Sequence, residues 1–152
     1  MEHKQLLTVF NSLPVGIGFF TADGTLVRCN ESFCRIFGAD SQTLLGNKLN
    51  INENSVVPDV VKEAVRRCVP VQMSFLYDFD KQRTDKRFFS TRTRTCYLKC
   101  NGNPLYDNDG KFVNYIFIFE DITETVKSEE VLRQSRRKTE LAMKAANIMF
   151  WE

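Results

Sequence analysis

Histidine is nearly absent from these 152 residues, and the single one, His3, stands at the N-terminal edge. With no central histidine, no phosphate-cradling glycine loop and no acid and base set beside a nucleophile, the sequence offers no catalytic constellation. Long apolar runs are missing too. The longest spans only 115–119, against roughly 20 residues for a membrane helix, so the chain as given reads as soluble, without direct membrane contact. Excess charge of one sign is also lacking. Lys and Arg number 21 against 19 Asp and Glu, a net +2, whereas a nucleic-acid surface carries a concentrated basic excess. Five cysteines, an odd number without framework spacing, lie among apolar neighbours and read as reduced core thiols of a cytoplasmic protein.

What is present is a globular composition with thirteen phenylalanines, enough for one core and an appendage. Residues 4–13 space Leu6, Leu7, Phe10 and Leu13 as a helix that Pro14 and Gly16 end. Short strands over 17–21 and 25–29 flank the hairpin signal Ala22-Asp23-Gly24. Asn30 is placed to cap a helix that Gly38 stops, and Asp40 or Ser41 to cap another that Gly46 stops. Val57, Val60, Val61, Ala64, Val65 and Cys68 give the main helix over 55–68, with Pro58 in its first turn. Alternation from Val71 to Phe79 predicts a half-buried strand, followed by a charged loop over 80–87. Cys96, Leu98 and Cys100 share one face of the next strand. Asp109-Gly110 turns the chain into a last strand over 113–120. That strand is apolar on both faces, which predicts a central position in the sheet. Asp121 with Glu124 reads as a capping box opening a long helix. Strands grouped apart from helices give an α+β domain: a five-stranded antiparallel sheet, short helices and one longer helix on one face, and a C-terminal linker helix.

The order of elements, with Leu13-Pro14-Val15-Gly16-Ile17, Asp23-Gly24, Arg28-Cys29-Asn30-Glu31-Ser32-Phe33-Cys34, Phe37-Gly38, Leu44-Leu45-Gly46, Asn103-Pro104-Leu105-Tyr106-Asp107 and Asp121-Ile122-Thr123, resembles a PAS domain across about residues 5–124. The resemblance implies an N-terminal helix over 1–13, a PAS sensor domain over 14–123 and a signalling linker helix over 124–146. Residues 141–151 look like the opening of a second PAS domain, with Ile148 set against Ile17 and Trp151 against Phe20. That truncated start, over 147–152, implies a fragment of a multi-sensor protein. Such arrays suggest a bacterial two-component sensor histidine kinase, so a kinase or another effector in the same chain is the expected downstream partner, and a homodimer the expected assembly.

A family pocket would place Phe19, Asn30, Phe33, Phe37, Val61, Val65, Met73, Phe75, Leu98, Cys100 and Phe117 between the inner sheet face and the helices, with Asn30 as ligand anchor or simple helix cap. Large aromatics tend to fill such a space, which favours a filled core over an open pocket. Asp121, Ile122 and Thr123 match the junction at which the sensor sheet passes its output to the helix. Haem in this family usually takes an axial histidine near the long helix, and His3 is outside the core. Flavin sensors of the family carry an Asn-Cys-Arg-Phe word whose counterpart, 46–55, has no cysteine. No haem or flavin is therefore expected, which leaves an unidentified small ligand or none. Cys68 as a chromophore attachment point is outweighed by packing. Cys96 and Cys100 lie four apart on a strand, about 13 Å from each other, too far for one zinc ion even with His3 as a third ligand.

The basic residues Arg83, Lys86, Arg87, Arg92 and Arg94, beside Phe88 and Phe89, read as a solvated loop and exposed strand face rather than a nucleic-acid surface. In the linker helix the best heptad frame is Ile122, Thr125, Glu129, Leu132, Arg136, Thr139, Met143 and Ala146, half polar. Such a seam suits a register switch and a plain spacer equally.

Overall fold

Capping chemistry divides the chain much as its sequence dictates. The computed structural model describes residues 2–82 and 90–151. It comprises α1 (Glu2–Ser12), β1 (Gly16–Phe20), β2 (Leu26–Cys29), α2 (Glu31–Phe37), α3 (Ser41–Gly46), a 3₁₀ turn (Ile51–Glu53), α4 (Asp59–Arg67), β3 (Val71–Asp78), α5 (Phe79–Gln82), β4 (Thr95–Tyr106), β5 (Phe112–Asp121) and α6 (Thr123–Trp151). The Asn30 side chain accepts from Phe33 N at the start of α2, and Gly38 ends that helix in the left-handed region at φ 66°. Asp40, rather than Ser41, caps α3 by accepting from Thr43 N.

Two compact units result, Met1–Asp121 and Ile122–Glu152. In the first, the strands form one antiparallel sheet in the order β2-β1-β5-β4-β3. β5 is central, as its two apolar faces require. Its register against β1 sets Gly16 opposite Phe119, Gly18 opposite Phe117 and Phe20 opposite Tyr115 on the inner face, with Ile17 opposite Ile118 and Phe19 opposite Ile116 on the outer face. The two inner-face glycines let α2 approach. A Cβ on Gly16 would stand 3.0 Å from the Phe33 Cα, and one on Gly18 would stand 2.8 Å from the Phe33 ring.

Four expectations are corrected. The main helix begins at Asp59 rather than at 55, because Pro58 is extended (φ −60°, ψ 145°) and biases the residue before it away from helix. The strand expected to reach Phe79 stops at Asp78, whose Oδ1 accepts from Asp80 N and Lys81 N at 3.0 Å each and so folds 79–82 into a helical turn. The charged loop therefore opens as α5; Arg83, Lys86, Arg87, Phe88 and Phe89 lie outside the described residues. The linker helix, expected over 124–146, runs on through Trp151, since nothing between Thr123 and Trp151 is Gly or Pro.

The second unit is α6. Its first turn is closed by Val126 N donating to Ile122 O at 2.9 Å; β5 ends at Asp121 and the helix runs from Thr123. Arg133 pairs with Glu130 at 2.6 Å, an i,i+3 contact on the helix surface.

Candidate functional site

Of the residues expected around a pocket, nine meet on the inner face. Phe33, Phe37, Val61, Val65, Leu98, Cys100 and Phe117 belong to the buried core, with Met73 and Phe75 half-buried against it. Pairing places Met73 opposite Cys100 and Phe75 opposite Leu98. Asn30 is taken up by a backbone corner, and Phe19 is turned away from this face. Strand alternation turns it to the outer face, where its ring packs 6.0 Å from Phe10 of α1, and Phe20 takes the inner position beside Phe117 at 5.4 Å.

Aromatic rings occupy the inner face in a continuous chain. Tyr115 and Phe117 lie 4.9 Å apart, Phe117 and Phe119 5.5 Å, Phe119 and Phe37 5.2 Å, Phe37 and Tyr77 5.4 Å, and Tyr77 and Phe79 4.8 Å. Phe33 joins it 4.6 Å from Phe37. Phe37 meets Phe119 and Tyr77 edge-to-face, Phe117 stacks on Phe119 and the other pairs are tilted; such pairs add to the burial of each ring, so displacing one disturbs its neighbours along the row. Of these rings the expected pocket set held Phe33, Phe37 and Phe117; Tyr77, Phe79, Tyr115 and Phe119 fell in the alternating strand patterns but were left out of it.

Asn30 is 1% exposed, and the backbone uses its whole hydrogen-bonding capacity. Oδ1 accepts from Ile17 N at 2.9 Å and Phe33 N at 3.0 Å, while Nδ2 donates to Phe10 O at 2.9 Å and Val15 O at 3.0 Å. An amide offers two donors and two lone pairs, and all are taken. Asn30 therefore ties α1, β1 and α2 into one corner, and the capping reading accounts for it in place of a ligand anchor. Ser32 adds a bond from Oγ to Leu13 O at the same corner.

Arg92, expected to be solvated, makes specific contacts. Its Nη1 donates to Ile36 O at 2.8 Å and lies 3.2 Å from the Asp121 carboxylate, and its guanidinium sits 4.8 Å from the centre of the Phe79 ring. One side chain thus links the last turn of α2, the start of α5 and the end of β5. No spacing rule connects positions 92 and 121; only the fold brings them together.

Two thiols and one phenol on the inner face, Cys96, Cys100 and Tyr115, are held neutral. Burial pushes Cys100 up to about 12 and Tyr115 up to about 12, the Tyr115 hydroxyl donating to Val69 O at 2.6 Å. Cys96 is pushed up to about 11 by burial, with Asp121 adding and Arg92 opposing. Among the described residues no group of three or more His, Cys, Asp or Glu side chains could hold a metal ion. His3 lines a groove of about 340 Å³ between α1 and the outer sheet face, with Leu6, Phe10, Leu13, Phe19 and Arg28. No described helix is long and apolar enough to cross a membrane.

A family model described as the PAS fold matches residues 10–127. The chain belongs to the PAS fold family. No match is found among curated proteins. Solved structures share the PAS architecture at low identity. An RNA-binding light-oxygen-voltage receptor superposes with a TM-score of 0.66 at 18% identity over 89% of this chain, which spans 37% of that receptor. A PAS domain from Colwellia psychrerythraea gives 0.60 at 15% identity, with 82% of this chain and 99% of that one covered. A PAS domain from a two-component sensor histidine kinase gives 0.57 at 15% identity, covering 79% and 96%. At these identities the likeness is one of fold. In PAS terms, the expected relay residues are the last residue of β5 (Asp121), the connecting residue (Ile122) and the first residue of α6 (Thr123).

Proposed function

We propose that this chain is a non-catalytic PAS sensory and dimerisation module that passes a change in inner-face packing through Asp121, Ile122 and Thr123 into α6, and so to a downstream effector. The observation that carries the reading is the Arg92 bridge, which joins Ile36 O of α2 to the Asp121 carboxylate at the end of β5. A shift of α2 or of the ring row changes the seat of Arg92 and with it the end of the strand that leads into α6. Such a relay requires a signal that binds or stabilises one packing state better than the other. The effector is a sensor histidine kinase of a bacterial two-component phosphorelay, acting as a cytoplasmic homodimer. This choice draws on a fold shared with a histidine-kinase PAS domain; a diguanylate cyclase or a transcription regulator is the alternative effector.

The ring-filled inner face favours a second reading, in which the domain only holds two chains together and senses nothing. Phe75→Ala separates the two. Phe75 is half-buried, 6.5 Å from the Tyr77 ring, so the variant loosens the row at its margin. In the full-length parent protein the relay reading expects altered effector output at retained fold. Unchanged output with only a lower melting temperature contradicts it and supports the scaffold.

A further inference from the structure

The corner that Asn30 ties also brings two thiols together. Cys29 is the last residue of β2 and Cys34 lies in α2; the turn between them folds the chain back so that their sulfurs stand 3.9 Å apart. Both are half-buried, whereas Cys96 and Cys100 are 1% and 0% exposed. We propose that Cys29 and Cys34 are a redox modification site, forming a reversible intramolecular disulfide under a hydroperoxide oxidant.

The geometry leaves little to do. A disulfide needs its sulfurs at about 2.05 Å, so the pair must close by roughly 2 Å, within reach of side-chain rotation. The backbone between them is already fixed: Cys34 N donates to Asn30 O at 3.3 Å and Phe33 N to Asn30 Oδ1 at 3.0 Å. Closure therefore spans the Asn30 cap without opening it. In the reaction, one thiol loses its proton and its sulfur attacks a peroxide oxygen. The O–O bond breaks and water or an alcohol leaves, giving a sulfenic acid. The second thiol, losing its proton, attacks that sulfur; the S–S bond forms, the S–O bond breaks, and hydroxide departs to take up the proton as water. Two thiols lose two electrons and two protons, and the peroxide is reduced by the same two electrons. Burial pushes the Cys29 thiol up to about 12 and raises that of Cys34, to which Asp40 and Glu31 add. Thiolate is thus scarce near neutrality, and the pair answers sustained peroxide rather than traces.

This site is independent of the relay reading, and its test needs no effector. The purified chain is treated with hydrogen peroxide, blocked with an alkylating reagent and digested with trypsin. Cleavage after Arg28 and after Arg35 releases residues 29–35 with both cysteines in one peptide. The expected product is that peptide two hydrogens lighter and unalkylated, restored to the dithiol by dithiothreitol. The same product is expected in Cys68→Ser, and none in Cys34→Ser. Recovery of both cysteines alkylated, their separate conversion to sulfinic acids, or a disulfide to Cys68 or between two chains overturns the proposal.

Discussion

The Arg92 guanidinium stands 3.2 Å from the Asp121 carboxylate while the same nitrogen donates to Ile36 O at 2.8 Å, so one side chain fixes the last turn of α2 against the end of β5. Both partners are about one-third exposed, which limits the ion pair to the range of surface pairs, up to about 1 kcal/mol.

A double-mutant cycle of Arg92→Ala and Asp121→Asn, read by urea unfolding, is expected to give a coupling of about 0.5–1 kcal/mol that shrinks as salt is raised. Arg92→Ala alone is expected to cost more, about 1–2 kcal/mol, because the Ile36 carbonyl and the Phe79 ring lose a partner too. Additive single effects are incompatible with a direct pair.

Asn30→Ala removes four hydrogen bonds to backbone groups, two of them buried and two part-buried, and strands their partners. The expected loss is about 2–4 kcal/mol in unfolding free energy. Asn30→Asp keeps the acceptors but cannot donate to Phe10 O or Val15 O, so it is expected to be destabilised as well. A loss below about 1 kcal/mol in Asn30→Ala is the outcome that sinks the corner-tie account.

Gly18→Ala places a Cβ 2.8 Å from the Phe33 ring and 2.9 Å from the Phe20 ring, an overpacking expected to cost about 1–3 kcal/mol. Gly46→Ala meets nothing within 4 Å and serves as the control, expected to be neutral or slightly stabilising within its helix. Equal effects at the two positions count against close approach of α2 to β1.

How far the sequence spoke depended on whether a signal was local. Periodicity and caps placed all five strands and the starts of α2 and α3, because Asn30, Asp40, Gly24, Gly38 and Gly110 act on backbone within a few residues of themselves. The inner-face set was legible for the same reason in β3, β4 and β5. β1 was harder: with Gly16 and Gly18 at inner positions, the apolar side chains Ile17 and Phe19 suggested the wrong face, and Phe19 was assigned to the pocket. Glycine read there as a breaker, while in the fold it makes room for Phe33. Arg92 with Asp121 was illegible because the pair forms only after β4 and β5 align, and a charged run carries no mark of which member will find a partner.

Alkali is expected to weaken the fold. Tyr115 rises from 10.0 to about 12, Cys100 from 9.0 to about 12 and Cys96 from 9.0 to about 11, all chiefly through burial. Above the unfolded values the unfolded chain has released these protons while the folded chain retains them. The unfolded state then binds fewer protons, so stability falls as pH rises. The contribution is complete below about pH 9 and is lost through about pH 12. Urea midpoints across that window should fall, and Tyr115→Phe should flatten the part above pH 10. A flat profile contradicts the buried placement of these groups.

The central claim is that inner-face packing is passed into α6, and paired nitroxide labels at Leu132 in the proposed homodimer test it most directly. Leu132 lies on the exposed stretch of α6, at a heptad position of the marginal seam. The account predicts that the interprotomer distance distribution shifts or splits between resting and activated states, and that Phe75→Ala moves it in the absence of any signal. Superimposable distributions in every state and in the variant would contradict it.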